Sequence, residues 1–267
     1  MRILSGAQKA PERILIYGSP KSAKTRLATS LPWGEFWGEK AVYVAADPGA
    51  ASLRSVLLPD RAHLIPVEPK PEVSRKYDPL HEAVEIATHD WKDAGTIIWD
   101  TLTATAEDVL AAYARLGNYA KDQITYGKPG TASFHAHPTM GDYGAAQNSV
   151  CEHLLGLLFE QPKHLIIITH ELWVEPKNAQ ECIGGPATVG SATAKTLPGR
   201  FDTVIRCEAK KRGEPGKPKV TEFIAHTNPH GPWICGVRNP GVNMPDVVLG
   251  EDPRNFWNEY AKLIGGK

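Results

Sequence analysis

Eight consecutive residues near the start of the chain carry the most specific chemistry: Gly18-Ser19-Pro20-Lys21-Ser22-Ala23-Lys24-Thr25. They fit the spacing G-x-x-x-x-G-K-[ST], with Ala23 where the second glycine usually stands. A loop of this kind, set between a strand and a helix, wraps phosphate in backbone N–H groups, and the dipole of the following helix adds to the attraction. Lys24 then reaches the β- and γ-phosphates of a nucleotide, and the Thr25 hydroxyl binds Mg²⁺. The pattern predicts ATP and Mg²⁺ as cofactors, with Lys21 and Arg26 as solvated flanking cations within reach of a phosphate. The Ala23 methyl is tolerable only if that position avoids a glycine-only conformation.

Three more polar residues end apolar runs. Asp100 closes Ile97-Ile98-Trp99-Asp100, at the edge where ligands of open α/β sheets sit. A carboxylate there holds Mg²⁺ through water; its alternative role is to cap the helix after Thr101. Asp47 closes Val42–Ala46 and is placed to polarise an attacking water as general base. Its neighbours Pro48 and Gly49 equally suit a plain turn. His170, after Thr169, closes His164–Thr169. It would sense the γ-phosphate if its strand lay between those of Gly18 and Asp100, and is otherwise a half-buried strand-end histidine.

The elements that must position these residues alternate in type. Short apolar runs at Arg13–Tyr17, Ala41–Ala46, His63–Val67, Gly95–Asp100 and His164–His170 read as buried strands. Helical patterns fall at Ala23–Leu31, Ala50–Leu58, Leu80–Asp93, Thr103–Leu116 and Asp142–Glu160, and Asn118–Thr139 reads as a long polar loop. Buried strands alternating with helices predict a mostly parallel sheet covered on both faces. Beyond residue 200, strands at Phe201–Cys207, Val220–His226 and Pro232–Cys235 predict an antiparallel extension. A basic loop at Lys210–Lys219 and a closing helix at Asp252–Leu263 complete it.

The composition suits one domain spanning residues 1–267, with a core at 11–207 and C-terminal strands and helix at 208–267. Apolar residues make up 42% and charged residues 22% of the chain, so a sizeable core is affordable by composition. Formal net charge is zero, so attraction to nucleic acid must come from a local patch. No apolar stretch approaches the ~18 residues of a membrane helix, and no signal-peptide pattern opens the chain. Cys151, Cys182, Cys207 and Cys235 lie 25 to 31 residues apart without a C-x-x-C pair, which reads as reduced thiols in a cytoplasm.

Taken together, Ile16-Tyr17-Gly18…Lys24-Thr25, Tyr43-Val-Ala-Ala-Asp47-Pro-Gly, Ile97-Ile-Trp-Asp100-Thr and Ile167-Ile-Thr-His170-Glu resemble RecA-like P-loop ATPases. The likeness is closer to the short phage single-strand annealing proteins of the Sak-four kind, and covers roughly residues 11–207. Leu197-Pro-Gly199 and Phe201–Arg206 are similar to the strand region after that family's second DNA loop. The resemblance implies an ATP-dependent single-stranded DNA-binding protein that promotes annealing or strand exchange as a ring or filament in the host cytoplasm, with a single-strand-binding protein as a partner. It also implies subunits that meet across ATP with a basic residue reaching in, matched first by Lys195 and then by Arg200. In RecA-like proteins a glutamate matches Asp47 and a glutamine matches His170, so slow hydrolysis is expected here.

Trp173 and Lys177 follow His170. In the resembling family the loop there contacts single-stranded DNA, and an aromatic can stack on a base; the alternative for Trp173 is packing on its own sheet. His135-Ala-His137 lacks a clear third metal ligand and reads as a polar loop. Lys210-Lys211-Arg212 with Lys217 and Lys219 reads as a solvated hairpin, with phosphate contact as the minority reading. Other functional classes stay open: a scaffold in which nucleotide is only structural, a small-molecule kinase, or a packaging or helicase-loading motor.

Overall fold

The computed structural model of the chain describes residues 10–34, 36–47, 64–67, 85, 94–120, 138–174, 183–190, 192–213, 219–238, 244–250 and 253–264. Two segments of predicted helix, Ala50–Leu58 and most of Leu80–Asp93, fall outside them. So do His135, His137, Lys177 and Lys217.

Five apolar runs form the parallel body of the sheet: β1 (Arg13–Gly18), β2 (Lys40–Ala45), β3 (Leu64–Val67), β4 (Ala94–Asp100) and β5 (His164–Val174). A sixth, β7 (Thr203–Arg212), lies parallel to β1 on its other side. The hairpin partner β8 (Val220–His226) and then β10 (Val247–Leu249) extend the sheet antiparallel. The order across the sheet is β10-β8-β7-β1-β5-β4-β2-β3. The short strand β6 (Ile183–Pro186) pairs with the outer end of β5, and β9 (Gly236–Val237) pairs with β7.

Strand side chains alternate between two cores, because successive residues point to opposite faces. Leu15, Tyr17, Val42, Val44, Ile97 and Trp99 meet one helical layer. That layer consists of α2 (Leu102–Ala120), α3 (Met140–Gln147), a π-helical turn at Asn148–Leu154 and α4 (Leu155–Phe159). Thr139 caps the start of α3 with a reciprocal capping box to Asp142. Ile14, Ile16, Tyr43, Ile98 and Ile166 face the other way, toward α1 (Lys24–Thr29) and α6 (Arg254–Leu263). There Trp37, Phe256, Trp257 and Tyr260 are fully buried. A last short helix, α5 (Ala192–Thr196), runs into a 3₁₀ turn at Leu197–Arg200.

The predicted parallel α/β core with an antiparallel C-terminal extension is the architecture found. Four boundaries are corrected. Pro232–Cys235 is not a strand: Trp233 makes only isolated bridges, and the pairing strand is Gly236–Val237. The basic segment is not a loop from Lys210, since Lys210–Arg212 continue β7 opposite Val220–Glu222. Asn118–Ala120 belong to α2 rather than to the loop after it. Finally, β5 does not stop at His170 but runs four residues further, because β6 supplies a new hydrogen-bonding partner to Glu171–Val174.

Candidate active site

Strand register alone brings the singled-out residues to one edge of the sheet. Gly18 stands opposite His170 on one side and Cys207 on the other. β5 lies between β1 and β4, and Asp100 pairs with Ile168 of β5 and with Ala45 of β2. The condition set by the sequence for His170, a strand between those of Gly18 and Asp100, is met. Asp47 lies two residues past β2, its N–H and that of Ala46 donating to the Asp100 carbonyl at 3.2 and 2.7 Å.

Close packing dictates the glycine at the turn. Gly18 has φ 156°, and a Cβ there would stand 2.1 Å from the Cys207 carbonyl oxygen. Lys21 and Ala23 both adopt left-handed backbone, at φ 63° and 67°. Ala23 therefore sits in a glycine-favoured conformation that an L-residue reaches at a cost of ~1–2 kcal/mol. The loop closes on itself: the Lys24 ammonium donates to the Gly18 carbonyl at 2.9 Å and to the Ser19 carbonyl at 2.7 Å. Burial pulls the Lys24 pKa down from its ordinary value, opposed by the acidic groups of Cys207, Asp100, Glu171 and Asp47. Arg26, on α1, donates to the Gly250 carbonyl at 3.2 Å.

Asp100 is the deepest of the acids, with 3% of its surface exposed. The alternation of β4 puts it on the α1 face with Ile98, and Thr25 of α1 donates to its Oδ2 at 2.7 Å. The Tyr43 hydroxyl donates to the same oxygen, also at 2.7 Å. Desolvation dominates and raises the Asp100 pKa. The hydrogen bonds from Thr25 and Tyr43 hold it back, the Asp47 charge pushes it further up, and Lys24 lowers it. Burial and the Asp100 charge keep the Tyr43 phenol far above its ordinary pKa, so it remains a donor.

His170 Nε2 lies 3.7 Å from Asp47 Oδ2, with each side chain about one-third exposed. The His170 N–H donates to Thr103 Oγ1 at 2.9 Å, and Thr103 in turn donates to the Ala187 carbonyl at 2.7 Å. One hydroxyl three residues past Asp100 thus ties the start of α2 to β5 at His170. The buried His170 Nδ1 and the buried Ser22 hydroxyl of the loop have no hydrogen-bond partner among the described residues.

The remaining candidates are spread outward. Lys195 is exposed in the last turn of α5. Arg200 is engaged within the chain, donating to the Cys151 carbonyl and to Glu152. Trp173 is in β5 rather than in a loop; it is 46% exposed, with its ring centroid 5.5 Å from that of Trp233. Trp233 in turn carries the buried Arg206 guanidinium over its face at 3.9 Å, and Arg206 pairs with Glu171 at 3.2 Å. Cys151, Cys207 and Cys235 are buried free thiols, and among the described residues no helix is long and apolar enough to cross a membrane.

Tyr43 and Thr103 escaped the reading of the sequence. Their signal was present: each is a hydroxyl placed beside an apolar run, Tyr43 on the face of β2 shared with Ala41 and Thr103 three residues after Asp100. The strand neighbours that give those hydroxyls partners are visible only once the sheet order is known.

Compared with known proteins, no curated relative matches the sequence. Among solved structures, the chain is similar to the RadB recombinase, at 16% identity and a TM-score of 0.42 over 83% of this chain and 85% of that one. It is similar to the flagellar accessory protein FlaH from Methanocaldococcus jannaschii, at 10% identity and 0.41 over 91% and 87%. A third likeness, to an ATPase of the type III secretion system of pathogenic bacteria, has 15% identity and 0.40 over 74% of this chain and 51% of that one. The family model that matches is the AAA domain, over residues 10–238. A match across that much of the 267 residues settles the family, and the chain belongs to the AAA domain family.

Proposed function

We propose that this chain binds Mg-ATP in the loop from Gly18 to Arg26, hydrolyses it, and uses the nucleotide state to control single-stranded DNA in annealing or strand exchange of the phage recombination type. The observation that carries the reading is the 2.7 Å contact of Thr25 with a nearly buried Asp100, directly behind a phosphate-type loop at the carboxyl edge of the sheet. A hydroxyl and a carboxylate are hard oxygen donors of the kind Mg²⁺ takes alongside water and phosphate oxygens. Thr25 and Asp100 therefore fit the ion. Bound there, Mg²⁺ would neutralise charge on the β- and γ-phosphates.

The chain's own groups divide the remaining work. The Lys24 ammonium has three donors, two of them spent on Gly18 and Ser19, which leaves one for a phosphate oxygen. Asp47, partly open to solvent, takes the proton of the attacking water, and His170 beside it senses the terminal phosphate. Lys195, being exposed, is available to the nucleotide of a neighbouring subunit in a homo-oligomer. The exposed Trp173 stacks on a base of single-stranded DNA, with Lys177 nearby in sequence.

Phosphate release measured with and without a single-stranded oligonucleotide tests the reading, with Lys24→Ala as control. The expected result is DNA-stimulated turnover in the wild type and loss of ATP binding in the variant. Tight ATP binding without stimulated release would favour a nucleotide-bound scaffold. Wild-type ATP affinity in Lys24→Ala would remove the phosphate-loop reading itself.

A further inference from the structure

The Asp100 carboxylate receives two hydroxyl donors of different character on one oxygen. Thr25 and Tyr43 each donate to Oδ2 at 2.7 Å. A carboxylate oxygen has two lone pairs, so this pair of donors saturates Oδ2 and leaves the remaining acceptor capacity on Oδ1. The two donors are not equally committed. Thr25 stands at the mouth of the phosphate loop, and its hydroxyl is the one a cation there would claim. Tyr43 comes from β2, within the core. It is 4% exposed and belongs to the α1-facing core with Ile98, Ala41 and Leu27.

Its reach follows from register. Tyr43 pairs with Ile98 and Ala45 with Asp100, so Tyr43 is the diagonal neighbour of Asp100 on the same face of adjacent strands. A long aromatic side chain spans that diagonal, where a shorter one would not.

We propose that Tyr43 is a positioning residue for the cation site: its hydroxyl pins Asp100 Oδ2 when the Thr25 hydroxyl turns to the ion, so that the carboxylate keeps its orientation. Tyr43 touches neither nucleotide nor ion and acts only through Asp100. The assignment rests on the Mg-ATP reading above. Groups that orient a metal-binding carboxylate typically change metal affinity by about 10–100-fold when removed.

The test is a titration of Mg²⁺ against binding of a fluorescent ATP analogue, for wild type, Tyr43→Phe, Asp100→Asn and the double variant. Tyr43→Phe keeps the ring in the core and removes one oxygen. The half-saturating Mg²⁺ concentration is expected to rise about 10-fold in Tyr43→Phe, while analogue binding in excess chelator stays as in the wild type. In the Asp100→Asn background, adding Tyr43→Phe should change nothing further, as required of a residue that works through Asp100. Half-saturation in Tyr43→Phe equal to the wild type, or an additive effect in the double variant, overturns the positioning role and leaves the Mg-ATP site standing. A wild type whose analogue binding ignores Mg²⁺ overturns the site reading, and the role of Tyr43 with it.

Discussion

His170 and Asp47 come from strands on opposite sides of β4, yet their side chains approach to 3.7 Å across its end. A carboxylate at this edge with an imidazole beside it is equipped both to take a proton from water and to register what occupies the loop in front of Gly18. Asp47→Asn keeps the shape and removes the proposed base. Turnover of ATP should fall by ~10²-fold or more while ATP binding persists. Steady-state phosphate release alongside an equilibrium binding measurement checks this, and unchanged turnover would reduce Asp47 to a turn residue.

Asp100 trades stability for a site. Burial raises its pKa in the fold, so the folded state holds the proton more tightly than the unfolded chain does. The sign follows: stability linked to this group is fully present below the ordinary carboxylate pKa and is lost as pH rises through the higher folded value. The charged form of Asp100 is therefore disfavoured in the nucleotide-free fold. Asp100→Asn keeps an oxygen for Thr25 and Tyr43 and removes the charge, and should raise the melting temperature by ~2–4 °C at pH 7. Mg²⁺-dependent ATP binding should be lost in the same variant. A melting temperature that falls at pH 7 would show that the charge is compensated in the nucleotide-free protein.

Much of this edge was legible beforehand because strand ends announce themselves. Apolar runs closed by Gly18, Asp47, Asp100 and His170 fixed the polarity of four strands, and parallel packing then forced their carboxyl ends together. What pattern could not supply was strand order, and everything that depends on sideways neighbours followed from it. The extension of β5 past His170 needs β6 as a partner, and the hydroxyls of Tyr43 and Thr103 need Asp100 and His170. Backbone detail was also out of reach. Ala23 in left-handed backbone conflicts with its residue type, and local preference yields there to the geometry of the loop. The boundary of β7 was missed for a simpler reason: Lys210–Arg212 read as polar loop residues, but in a hairpin that leaves the sheet both faces are solvated.

The antiparallel extension has its own electrostatic tie. His226 of β8 is buried, with Nδ1 2.7 Å from Asp246 and Nε2 2.9 Å from Glu208, while His230 stacks on it and Arg206 approaches Glu208 at 3.9 Å. Desolvation is the largest single influence and pushes both carboxyls up. At Glu208 it is outweighed by the hydrogen bond with His226 acting together with the Arg206, His226 and Lys210 charges. At Asp246 it is outweighed by the hydrogen bonds with His226 and with the Thr227 and Asn228 N–H groups, together with the His226 charge. Both end below the ordinary carboxylate range. A depressed carboxyl contributes stability above its unfolded pKa and loses it as pH falls through the folded value. His226→Gln should cost about 1–2 kcal/mol at pH 7, a modest figure because both acids are partly exposed. The gap between variant and wild type should narrow as pH falls through the lowered folded values of the two acids and they take up protons. Denaturant melts at pH 7, 5 and 3 measure it, and a gap independent of pH would mean that His226 matters only by packing.

Trp173 stands on the stretch of β5 that continues beyond His170, so one strand carries both the residue facing the phosphate loop and the aromatic facing solvent. Thr103 clamps this strand at His170, and Arg206 clamps it at Glu171. A shift at His170 on nucleotide binding therefore has a stiff path to Trp173, four residues of strand with few ways to absorb it. Such coupling is reciprocal: if ATP tightens single-strand binding, DNA tightens ATP binding by the same factor. Trp173→Ala should cost about 1–3 kcal/mol of single-strand affinity if the ring stacks on a base. That ring already lies beside Trp233, with centroids 5.5 Å apart, so the lower part of the range is expected. With net charge zero, the dependence of affinity on salt should be shallow. Titration of a fluorescent oligonucleotide with ATP, with ADP and without nucleotide checks all three statements. Equal affinity in the three states, with Trp173→Ala indistinguishable from wild type, would remove both the stacking surface and its link to the phosphate loop.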